Sequence, residues 1–116
     1  MTEALMLEFY DLKPLELSDE WLDIERMYCF DWDKFDRVLL DRLNTIFAML
    51  PNSIKCDAHG CPWWYSDSED IENGYLTASI EPPGLQVFGT LKPQVWQHWE
   101  REFHCRVSDL PFRKLH

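Results

Sequence analysis

The chain has 116 residues, with 21 Asp and Glu against 11 Lys and Arg and a formal net charge of -10 at pH 7. That length fits one domain around one core, and a content of 46% hydrophobic and 15% aromatic residues excludes a disordered acidic tail. Direct nucleic-acid binding, which rests on neutralising phosphates with Lys and Arg, is disfavoured, and no run approaches the roughly 20 apolar residues of a membrane span.

Met1 to Tyr10 carries Glu3 and Glu8 where a secretory signal has a basic and then an apolar stretch, so a cytosolic chain with reduced thiols is expected. Leu5 to Tyr10 alternates loosely and reads as a short first strand, interrupted at Lys13-Pro14. Ser18 reads as an N-cap, followed by Asp19 and Glu20 where a helix dipole favours negative charge. With Trp21, Ile24 and Tyr28 at helical spacing, a short helix is expected over residues 19 to 29.

From Lys34 to Leu50, Phe35, Leu39, Leu43, Ile46, Phe47 and Leu50 recur at three- and four-residue steps, which predicts an amphipathic helix capped by Asp33 or Asp31 and stopped before Pro51. Asp33, Arg37 and Asp41 follow one another at four-residue intervals along its outer side. After the turn Pro51-Asn52-Ser53, Ile54 to Cys56 opens a strand, and Asp57 to Asn73 reads as a long loop or irregular hairpin. Gly74 to Glu81 sets Tyr75, Thr77 and Ser79 against Leu76, Ala78 and Ile80, as a half-buried strand does. Pro82-Pro83-Gly84 turns it into a returning strand that ends near Leu91. Lys92-Pro93 opens a last helix whose buried stripe is Val95, Trp96, Trp99, Phe103 and Val107. The expected fold is a single α+β domain over residues 1 to 116, a mainly antiparallel sheet packed by about three helices, in the order β-α-α-β-β-β-α.

The acidity is gathered into two blocks. Residues 1 to 33 hold ten Asp and Glu against Lys13 and Arg26, and residues 56 to 81 hold Asp57, Asp67, Glu69, Asp70, Glu72 and Glu81 with no Lys or Arg. The second block also contains Trp63, Trp64 and Tyr65. Clustered carboxylates steer a basic partner, and aromatic anchors inside a polar rim suit the centre of a protein interface. One or two of these rings can equally plug the end of the sheet, and the sequence leaves both uses open for Trp63 and Trp64.

Motifs for chemistry are weak. Cys56, His59 and Cys61 are zinc-type ligands, but no closely spaced second pair completes the set, and His104 and Cys105 are adjacent on a helix and diverge. His98 and His104 stand six apart, where a metalloprotease helix needs four, so His98 with Glu102 and Glu100 with His104 read as solvated pairs. Nucleophile elbow, phosphate loop and deaminase signature are all absent from the sequence. A binding protein without catalytic activity, cofactor or metal is expected.

The segment from Gly74, GYLTASIEPPGLQVFGTLKPQVWQHWEREF, resembles the strand, Pro-Gly turn, strand and Trp-bearing helix of small immunity proteins from bacterial polymorphic-toxin and contact-dependent growth inhibition systems. The resemblance covers about a quarter of the chain and implies a cytosolic antitoxin that blocks a toxin domain, often a basic nuclease. On both grounds Asp57, Asp67, Glu69, Asp70 and Glu72 are expected to imitate phosphates, with Trp63, Trp64 and Tyr65 as anchors. A phage-type DNA mimic acting on a DNA-handling enzyme, and a zinc domain or enzyme using Cys56, His59 and Cys61, are the rival readings.

Overall fold

The computed structural model describes residues 7–12, 16–18, 20–54, 62–66, 72 and 74–110. Six strands form one antiparallel sheet: β1 (Phe9–Asp11), β2 (Glu16–Ser18), β3 (Trp21–Cys29), β4 (Trp63–Trp64), β5 (Tyr75–Glu81) and β6 (Gly84–Leu91). The order across the sheet is β1-β3-β6-β5-β4, and β2 pairs with the other end of β3. Two α-helices, α1 (Arg37–Met49) and α2 (Pro93–Arg106), complete the small α+β fold.

Both helices follow the sequence pattern. α1 is capped by Asp36, whose Oδ1 accepts from the Leu39 amide at 3.0 Å, and it ends at Met49 before Pro51. Its cap lies later than Asp31 or Asp33 because Trp32–Lys34 is used in a separate 3-10 turn, which also leaves Asp33 outside the helix. α2 starts at Pro93 and buries Trp96, Trp99 and Phe103, with Val107 just past its end. The β5–β6 hairpin closes through Pro82 and Pro83, as expected, with a cis peptide between them.

The expected third helix, residues 19 to 29, is a correction. Glu16–Ser18 and Trp21–Cys29 instead form a hairpin, with Glu20 at φ 71 in its turn. The alternating row Leu22, Ile24, Arg26, Tyr28 faces the helices, and the charge of Arg26 hides that two-residue period in the sequence. The bulky Trp, Ile and Tyr of this stretch also suit a pleated surface better than a helix.

Leu22, Ile24 and Tyr28 share their face with Leu85, Val87 and Leu91 of β6 and with Leu76 and Ala78 of β5, and the two helices cover it. Trp99 is the hub: it stacks on Trp96 and Phe103 at 5.7 and 5.0 Å and meets the Trp64 ring edge-on at 5.0 Å. Both helices therefore sit on one side, and among the described residues the other side of the sheet carries none.

Gly84 permits the tight contact between β6 and β3. A Cβ there would lie 1.8 Å from the Tyr28 carbonyl oxygen, which backbone cannot vacate. Gly84→Ala is expected to lower stability by about 3 kcal/mol, read as a reduced urea midpoint at unchanged slope. A midpoint equal to the parent's would show that the two strands do not approach so closely.

Candidate functional site

Strand alternation sends every second side chain of β3, β5 and β6 to the helix-free side. Across it run Asp23, Thr90 and Tyr75 in one register row, and Glu25, Phe88, Thr77 and Trp63 in the next. A third row contains Tyr10, Met27, Gln86 and Ser79, and a fourth ends on Glu81. The face holds an open groove of about 570 Å³ lined in part by Asp23, Glu25, Tyr75, Glu81, Gln86 and Phe88, with no Lys or Arg among its described lining. Thr90 Oγ1 donates to Asp23 Oδ1 at 3.1 Å, which fixes that carboxylate, and Ser79 Oγ lies 3.5 Å from Glu81 Oε1. The groove thus joins acids from the two blocks, Asp23 and Glu25 from the first and Glu81 from the second.

The residues expected to form the site divide. Trp63 lies half-buried in the second row, its ring 6.1 Å from that of Tyr75, and Glu72 is exposed. Trp64 points the other way: it is fully buried, donates its Nε1–H to the Phe47 carbonyl at 3.1 Å, and packs edge-on against Phe47. It is a core residue that ties β4 to α1 and is not available as a surface anchor. Tyr65 takes φ 74, donates its amide to the Asn52 carbonyl and leans on the core, and burial pushes its hydroxyl up to about 12. Asp57, Asp67, Glu69 and Asp70 lie outside the described residues, as do Cys56, His59 and Cys61. Among the described residues no three His, Cys, Asp or Glu side chains converge to hold a metal.

Sequence reasoning missed Asp23, Glu25 and Phe88 as neighbours. Arg26 in the buried row masks the alternation of Leu22 to Tyr28, and a helical spacing scatters those acids around a cylinder.

A second polar constellation lies on the helix side. Arg26 is 4% exposed, yet its Nε donates to Asp11 Oδ1 at 2.9 Å and its Nη1 to Glu100 and to the Tyr28 hydroxyl. Its guanidinium sits 4.0 Å above the Phe9 ring and 4.9 Å from that of Trp96. Burial works against the charge, but the Tyr28 oxygen and the two carboxylates outweigh it and hold the pKa above its ordinary value. Tyr28, itself raised by burial, shares its hydroxyl with His104 Nε2 at 2.8 Å. Glu100 and His104 are therefore not the solvated pair that helical spacing suggests, since each reaches a polar group on β3. Glu102 pairs instead with Arg106 at 3.8 Å. With Arg26 and Tyr28 sealed, this constellation ties β1, β3 and α2 together.

Comparison of the chain with protein-family models, with curated proteins and with solved structures finds no match.

Arg26→Met keeps the apolar stem but leaves Asp11 and Glu100 without their cation. Breaking a buried pair costs about 3–5 kcal/mol; these carboxylates are about a quarter exposed and can rehydrate, so a loss of about 2–3 kcal/mol in chemical unfolding is expected. His104 is held below its ordinary 6.5, chiefly by burial and also by Arg26, with Glu100 pulling the other way. As pH falls through 6.5 the unfolded chain takes a proton on this residue that the folded one resists, so stability drops. Denaturation midpoints of His104→Gln should show a shallower decline than the parent from 6.5 downwards, and identical slopes would refute the assignment.

Proposed function

We propose that this protein is an acidic binding protein that neutralises a basic toxin domain, of the nuclease class, by stoichiometric protein–protein inhibition in the cytoplasm. The observation that carries the reading is the helix-free sheet face, where carboxylates from two acidic blocks and the Trp63, Tyr75 and Phe88 rings meet without a Lys or Arg in the described groove lining. Such a surface attracts a cationic domain over several ångströms and offers it apolar contact on arrival. Asp57, Asp67, Glu69, Asp70 and Glu72 belong to the same proposal as phosphate-like groups, with Trp63 as the aromatic anchor. The resemblance of the hairpin and last helix to immunity proteins agrees with it. No catalytic step is assigned, and one partner is held per chain.

Inhibition by occupancy predicts that growth is rescued when the protein is co-expressed with a basic nuclease toxin domain, and that a one-to-one complex forms. Steering predicts that the association rate falls at least about tenfold between about 50 and about 500 mM NaCl, while the dissociation rate changes less. An association rate indifferent to salt removes steering. Failure to rescue any basic nuclease removes the proposed function.

A further inference from the structure

We infer that the groove on the helix-free face is a seat for arginine, taking a guanidinium group presented by a basic protein segment. The inference rests on the binding role proposed above and names the chemistry recognised. A groove of about 570 Å³ is within the size range of ligand sites. Its lining combines carboxylates on β3, Asp23 and Glu25, with the Phe88 ring beside Glu25 in the same register row and the Tyr75 ring in the row of Asp23. Glu81 lines the same groove from β5.

A planar guanidinium matches this pattern in two ways at once. It stacks on an aromatic face and forks two N–H donors onto a carboxylate, whereas an ammonium makes only point contacts. Asp23 is already oriented by the Thr90 hydroxyl, so part of the receiving geometry is fixed in advance. The protein satisfies its own Arg26 by the same means, with two carboxylates at its edges and the Phe9 and Trp96 rings near its plane.

Other occupants fit worse. A second copy of the chain would bring Asp23, Glu25 and Glu81 against the same acids, and a nucleic acid would bring phosphates against them. An apolar ligand would desolvate the carboxylates without compensating them. The nearby cation Lys92 is held over Trp21, 5.6 Å from the ring centre, and is not among the groove's lining residues.

The probe is a capped peptide of alternating Gly and Arg, compared with its Lys and citrulline counterparts by amide chemical-shift titration of the full chain. The Arg peptide should shift Asp23, Glu25, Tyr75, Phe88 and Thr90; the Lys peptide should bind at least about fivefold more weakly, and the uncharged citrulline peptide should not bind. Phe88→Leu should bring Arg binding down to the Lys level, and Glu25→Gln should weaken it at least about fivefold, each with an unchanged unfolding midpoint. If either variant loses stability, Tyr75→Leu replaces it. Equal affinity for Arg and Lys, or shifts confined to residues off this face, overturns the seat. Growth rescue separates the two levels: a seat that fails while rescue persists leaves the neutralising role standing on other residues, and a seat that holds without rescue leaves arginine recognition without a toxin.

Discussion

The buried cation Arg26 ties together the layers of the described structure. It stands in the middle of β3, an interior strand of the sheet, facing the helices, and its charge must be met wherever the chain folds. It is met from both sides, by Asp11 on the edge strand β1 and by Glu100 on α2, which lie far from it in sequence. The strand edge and the last helix are thereby referred to one point on the sheet. Tyr28 and His104 extend the link two residues along β3 and one turn along α2. Hydrophobic packing by Trp64, Trp96, Trp99 and Phe103 supplies most of the attraction between layers, but it is not directional. The charge-assisted contacts are directional, and they specify which turn of α2 lies over which residue of β3.

That requirement also explains where the reading of the sequence succeeded and failed. α1, α2 and the β5–β6 hairpin were legible because their apolar periods are uninterrupted and their ends carry Pro or a cap. β3 was not, because a charge occupies a core position, and a period-two pattern with Arg in its buried row no longer looks amphipathic. The helical spacing of Trp21, Ile24 and Tyr28 then had nothing to oppose it. Trp63 and Trp64 are both expected as anchors from the sequence, yet Trp64 is buried, because which ring faces the core depends on the pairing of β4 with β5, a long-range fact.

The candidate site was legible as charge and illegible as geometry. Composition along the chain identifies two acidic blocks, but only pairing through β6 shows that Asp23, Glu25 and Glu81 line one groove. Phe88 read as one more apolar residue of a returning strand. Its place between Glu25 and Thr77 instead sets its ring along the groove.

The alternation of side-chain direction along β3, β5 and β6 has a consequence for how such a protein can change over time, although Met27, Cys29 and Thr77 are buried on the opposite face as well. Ile24, Val87 and Ala78 hold the core, while their immediate neighbours Glu25, Phe88 and Thr77 belong to the opposite side. Adjacent positions in the gene therefore answer to separate selective pressures. Substitutions at Glu25 or Phe88 change the opposite face of the sheet without opening a cavity beneath the helices. That face can then vary while the scaffold is inherited intact, except at Thr77, which is buried there and donates its hydroxyl to the Pro62 carbonyl at 2.6 Å.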